Sequence, residues 1–203
     1  MDEFTICCFG DSLTYGFCAD FGKDYVSLFR KQIKEDFPDK NIVIRNKGEN
    51  GESSRDGLRR LDIDILKANP KMVIMLFGSN DSAYNDCYHV GLDEYSHNYD
   101  LMIEAMLKQN IKIVLVTPTP VIEDEDLIFI ENSALNKYCD VVREKAKKYK
   151  LDLIDLNTEF TKAAKGNLKP FMQWDGLHIS TKGYEVFFNI IYKTVKPIIE
   201  KMI

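Results

Sequence analysis

Short apolar runs alternate along the chain with longer stretches in which apolar residues recur at three- and four-residue spacing. The runs Phe4 to Phe9, Ile42 to Arg45, Met72 to Phe77, Lys112 to Thr117 and Leu151 to Asp155 have the length and β-rich composition of strands. Between them Tyr25 to Phe37, Leu58 to Ala68, Leu92 to Gln109 and Asn132 to Tyr149 read as amphipathic helices, and Tyr184 to Glu200 closes the chain in the same way. A helical crossover between successive strands predicts parallel pairing. The pattern therefore predicts a three-layer α/β/α domain of doubly wound, flavodoxin-like type, with a five-stranded parallel sheet and its site at the carboxyl ends of the strands. Pro38, Pro70 and Pro170 punctuate helix ends and loops, and no repeat or Gly/Ser-rich linker interrupts the pattern.

Composition keeps this to one unit. At 203 residues and 45% hydrophobic content the chain suits a single domain over 1–203. A formal charge of -5 without a long basic block gives no footprint for nucleic acid or an anionic membrane. Met1-Asp2-Glu3-Phe4 lacks a basic leader region, and the apolar run after it is only a strand long before Asp11. The expectation is neither signal peptide nor membrane span, and a cytoplasmic protein. Five cysteines, Cys7, Cys8, Cys18, Cys87 and Cys139, without Cys-x-x-Cys spacing suggest a reducing compartment. Adjacent Cys7 and Cys8 in a strand should point to opposite faces as buried apolar groups.

The candidate chemistry lies in the turns. A serine hydroxyl needs a histidine to take its proton and a carboxylate to orient that histidine. Ser12 in Gly10-Asp11-Ser12-Leu13, directly after the first strand, and Asp175 and His178 in Asp175-Gly176-Leu177-His178 near the far end supply all three. Each has a plainer reading alone: His178 as a surface or capping residue before the last helix, Asp175 as a turn residue before Gly176, and Asn80-Asp81 as an Asx turn or cap. Asp11 and Asp81 are expected to serve such structural roles. The order, nucleophile first and Asp-x-x-His last, is not that of α/β-hydrolases, and no Gly-x-Ser-x-Gly elbow is present.

Two interior blocks complete a pattern: Asn46-Lys47-Gly48-Glu49-Asn50-Gly51 after the second strand and Gly78-Ser79-Asn80-Asp81 after the third. With these four blocks in order, the chain resembles the SGNH (GDSL) hydrolase family. The resemblance implies a serine esterase needing no cofactor, with nucleophile Ser12, base His178, acid partner Asp175, and oxyanion-hole donors at the Ser12 amide, Gly51 and the Asn80 side chain. Gly51 lacks a Cβ and so lets its amide approach a substrate, and Asn80 carries a free amide. Leu76 to Ala83, Thr117-Pro118-Thr119-Pro120 and Asp175 to Gly183 are similar to the isoamyl acetate-hydrolysing esterase branch, which implies small acyl esters, acetate especially. Glu49 departs from expectation, since a carboxylate two residues before Gly51 would oppose an oxyanion unless it faces solvent.

The remaining features are open. Tyr84, Tyr88 and Val90 follow the Asn80 block and are expected to rim the crevice, and Trp174, with Phe171 and Met172, either lines a pocket or belongs to core. His89, His97, Asp86 and Asp93 lack metal-ligand spacing, so no metal is expected. The stretch Asp124 to Ser133, with an apolar cluster among acidic residues, leaves open a flexible lid, a homodimer contact or an ordinary helix start. Alternatives to a small-ester hydrolase are deacetylation of a sugar, a lysophospholipase or thioesterase, a non-catalytic interaction domain, and a flavodoxin-like module whose Gly10-Asp11-Ser12 loop cradles phosphate. The last lacks a Gly-x-Gly-x-x-Gly or Gly-Lys-Ser/Thr pattern.

Overall fold

A computed structural model describes residues 3–85, 87–123 and 129–203. Five strands, β1 (Phe4–Gly10), β2 (Ile42–Gly48), β3 (Met72–Leu76), β4 (Lys112–Val116) and β5 (Asp152–Ile154), form one parallel sheet in the order β2-β1-β3-β4-β5. The helices are α1 (Ser12–Tyr15), α2 (Tyr25–Asp36), α3 (Ser54–Leu61), α4 (Leu92–Lys108), α5 (Asn132–Tyr149), α6 (Leu156–Ala163) and α7 (Thr181–Met202). No described helix is long and apolar enough to cross a membrane.

Two cores flank the sheet because strand side chains alternate faces. Ile6 and Cys8 of β1 pack with α2, α6 and α7, whereas Cys7 and Phe9 pack with α3, α4 and α5. Every residue of β3 is buried, as a central strand covered on both faces requires. Cys7, Cys8 and Cys139 are buried free thiols, and burial pushes Cys7 up to about 11 and Cys8 up to about 12.

The strand order reverses at β1, whose neighbours are β2 and β3, so a crevice opens between the carboxyl ends of β1 and β3. Chain tightness there is set by Gly48 at the end of β2. A Cβ on it would lie 2.1 Å from the Tyr15 nitrogen, so only glycine lets α1 rest on that strand.

Candidate active site

Ser12 begins the four-residue helix α1 directly after β1. Asp11 is the N-cap, its carboxylate accepting the Leu13 amide at 2.9 Å, and Gly16 ends the turn in the left-handed region. Ser12 thus sits on a rigid turn at the switch point, nearly buried at 8% exposure. From the other end of the chain, the strand-like pair Met172 and Ile179 holds a tight loop. Its closing bonds run from the Gln173 amide to the His178 carbonyl (2.7 Å) and from the Ser180 amide to the Phe171 carbonyl (3.0 Å). Within it Asp175 Oδ1 accepts the Leu177 and His178 amides at 3.0 and 2.9 Å, and Gln173 Nε2 donates to the Cys18 carbonyl, tying this loop to the turn after α1.

The three groups form one chain of hydrogen bonds. Asp175 Oδ2 lies 2.6 Å from His178 Nδ1, and His178 Nε2 lies 3.1 Å from Ser12 Oγ. These contacts assign the proton to Nδ1, leaving Nε2 to accept from the serine. Burial alone would raise the Asp175 carboxyl, but hydrogen bonds from the His178 side chain and the two amides hold it below the usual range. Asp175 is therefore ionised and the imidazole oriented. The Phe17 ring lies 4.5 Å from that of His178 and restricts its rotation.

Opposite the serine, Asn80 is 6% exposed and donates one amide hydrogen to the Glu52 carbonyl at 2.9 Å, which directs its other hydrogen elsewhere. Gly51 adopts φ +75°, a conformation that favours glycine, and a Cβ there would only touch the Tyr88 ring at 3.4 Å. Neither the Ser12 nor the Gly51 amide has an acceptor among the described hydrogen bonds. Behind them Arg60 unites the strand ends: its guanidinium donates to the Gly10 and Lys47 carbonyls, pairs with Glu52 and Asp64, and stacks on Phe9 at 4.5 Å. Glu49 is exposed and is not among the residues that line the cavity.

A cavity of about 660 Å³ contains Ser12, Gly51, Asn80, Asp175 and His178 in its lining. Tyr88 and Trp174 also line it. Val90 does not: it is fully buried beside α4, its amide bonded to the Asp81 carbonyl and its carbonyl to the Tyr138 hydroxyl. Tyr84 is exposed beyond the rim, its amide on the Phe129 carbonyl. The segment after Asn80 turns back on itself, so proximity in sequence to a site residue did not place either side chain in the crevice. Met172 is core and Phe171 packs against it. The lining also includes Phe17, Asn50, Phe129 and Leu177, which the sequence reading had not assigned to it. Asn50 and Leu177 are flanked by site residues; Phe17 and Phe129 come from turns without a periodic signal.

His89 Nδ1 lies 3.0 Å from the Ala83 carbonyl, and His97 is exposed on α4. Among the described residues no group of His, Cys, Asp and Glu could hold a metal ion. Asp86, and Asp124 to Ile128 of the acidic stretch, lie outside the described residues. The rest of that stretch is anchored by Asn132, which exchanges hydrogen bonds with Val121 at 3.0 and 2.8 Å.

A family model for GDSL-like lipase/acylhydrolases matches residues 8–186. The chain is 29% identical to an isoamyl acetate-hydrolyzing esterase 1 homolog of Homo sapiens, over 96% of this chain and 81% of that protein. It is 26% identical to an acetylxylan esterase of Geobacillus stearothermophilus, over 92% and 91%. Among solved structures, a lipase/acylhydrolase from Enterococcus faecalis superposes with a TM-score of 0.83 at 26% identity, covering 95% of each chain. The chain belongs to the GDSL-like lipase/acylhydrolase family, and the four blocks that suggested it meet around one crevice.

Proposed function

We propose that the protein is a serine esterase that removes small acyl groups, acetyl above all, from neutral esters through an acyl-serine intermediate. The observation that carries this reading is the unbroken chain from Asp175 through His178 to Ser12 at the floor of an open cavity. In acylation Ser12 Oγ attacks the ester carbonyl while its proton passes to His178 Nε2, and Asp175 stabilises the imidazolium. The carbonyl oxygen becomes an oxyanion received by the amides of Ser12 and Gly51 and the free Asn80 hydrogen. Collapse expels the alcohol, which takes the proton from Nε2. Water then repeats the sequence on the acyl-serine, releasing the acid. Preference for acetyl groups draws on the relatives named as isoamyl acetate-hydrolyzing and acetylxylan esterases.

A second reading, deacetylation of a sugar, is favoured by Trp174. This ring lines the cavity yet is 81% exposed, a flat face on which a sugar ring can lie.

The test is hydrolysis of p-nitrophenyl acetate, butyrate and octanoate, and of an acetylated xyloside, by the wild type and Ser12→Ala, with mass spectrometry after an organophosphonate probe. The expected result is turnover of the short esters with a probe adduct on Ser12, both absent from the variant. Faster turnover of the xyloside would select the sugar reading. Turnover that survives Ser12→Ala, or no adduct, would overturn the mechanism.

A further inference from the structure

Two buried carboxyl groups flank the oxyanion donors and have no part in the steps above. Asp11 precedes Ser12 and Asp81 follows Asn80, and both are 0% exposed. Asp81 is well supplied, since both its oxygens accept the Ser54 amide at 2.9 and 3.1 Å. Asp11 is not. Its Oδ1 takes the Leu13 amide, but Oδ2 is buried with no hydrogen-bond partner among the described residues.

The groups facing this pair come from all sides of the crevice. Asp81 and Glu52 bear on Asp11, Tyr99 of α4 and Tyr184 of α7 feel its charge, Asp56 and Arg55 of α3 interact with Asp81, and His178 lies across Ser12. Arg60 reaches the neighbouring Gly10 carbonyl, but it is paired with Glu52 and Asp64. A bare carboxylate oxygen in a dry site beside a second carboxyl is costly to ionise, whereas a neutral acid group there costs far less.

We propose that the working enzyme holds a proton on Asp11, and that neutral Asp11 is a positioning residue for Ser12. Its Oδ1 caps α1 and thereby aims the Ser12 amide and hydroxyl. Loss of the proton places a negative charge next to the donors that must receive the oxyanion, and acylation slows. Burial, reinforced by the charges of Asp81 and Glu52, is consistent with this and pushes Asp11 up to about 7, while burial and Asp56 push Asp81 up to about 7. This inference rests on the functional reading above for its link to catalysis, though not for the proton itself.

Two readouts separate the parts. The first is kcat/KM on a neutral acetate ester from pH 5 to 9, corrected for spontaneous hydrolysis, for wild type, Asp11→Asn, Asp11→Ala and Ser12→Ala. Asparagine keeps the Oδ1 acceptor and puts an N–H where the acid carries O–H. Asp11→Asn should therefore stay within about threefold of wild type at low pH and keep its rate where wild type declines, while Asp11→Ala loses the cap and falls about a hundredfold throughout. The second is thermal stability. A carboxyl with a raised folded pKa stabilises the fold fully below its unfolded value and loses that contribution as pH rises through the folded value. The Tm of Asp11→Asn relative to wild type should therefore climb between about pH 4 and pH 7.

Superimposable pH profiles and a constant Tm difference would overturn the proposal, as would a folded Asp11→Asn that is inactive at every pH. Should the variant not fold, the 13C titration of the Asp11 carboxyl in the wild-type protein decides, and an ordinary carboxylate value there overturns it. Activity surviving in Ser12→Ala would instead remove the functional reading and leave the Tm and NMR results to judge the proton alone.

Discussion

Asn80 is held by one of its two amide hydrogens, and that constraint makes the other useful. The 2.9 Å bond to the Glu52 carbonyl sets the plane of the side chain before any substrate arrives, so in the proposed mechanism a developing oxyanion would meet a donor that need not reorganise. Asn80→Ala should lower kcat by about a hundredfold to a thousandfold, about 2.7 to 4 kcal/mol of transition-state stabilisation, and leave KM nearly unchanged. Steady-state kinetics on p-nitrophenyl acetate check this; a change confined to KM would mean that Asn80 binds the ground state. At this scale the sequence picked out residues that the fold brings together, because the proposed chemistry tolerates few residue types. Ser12, Gly51, Asn80, Asp175 and His178 each stand in a turn where a strand ends or a helix begins, and all five line the one cavity. The direction of a side chain within an irregular segment was not legible. Val90 and Tyr88 lie two residues apart, yet one fills the core under α4 and the other overhangs Gly51.

Elements were legible where an apolar stripe is long. α5 spans Asn132–Tyr149 as the spacing predicts, and α2 and α4 end within one residue of the expectation. Short or polar pieces were not. α1 has only four residues, α6 follows β5 almost directly, and β2 continues through Arg45, Asn46 and Lys47 to Gly48 because an edge strand needs an apolar face on only part of its length. α3 begins at Ser54, before the first apolar repeat, because Asp56 accepts from the Ser53 amide and hydroxyl and caps it. This helix carries Arg60, whose side chain is 14% exposed and bridges the ends of β1 and β2 to the Glu52 loop that holds Asn80. Removing it leaves Glu52 without its partner and Asp64 with Lys47 alone. Arg60→Ala should cost about 3 to 5 kcal/mol in urea unfolding, and Arg60→Lys should recover only part because an ammonium cannot reproduce the fork. A loss below about 1 kcal/mol would show that the strand ends are set by the sheet alone.

At the scale of the whole molecule, the charge distribution should bias which esters reach the serine. Its formal charge is -5, and the described cavity lining contains Asp175 but neither lysine nor arginine. Glu49 adds an exposed carboxylate at the same end of the sheet, where its amide bonds to the Gly10 carbonyl, while Arg60 nearby is already paired. An ester bearing its own carboxylate or phosphate therefore approaches against the field and finds no cation at the end of its path. A neutral acetate ester should exceed a matched hemisuccinate ester in kcat/KM by about tenfold or more at low salt. Screening gives the test its sign, because the Debye length falls from about 30 Å at 0.01 M to about 3 Å at 1 M ionic strength. Raising salt across that range should increase kcat/KM for the anionic ester and leave the neutral one nearly constant, so the gap narrows from one side. Equal rates at low salt, or parallel salt responses, would mean that the charge distribution does not select substrate. Anionic lysophospholipids and coenzyme-linked thioesters would then return as candidates on the same footing as small neutral acetates.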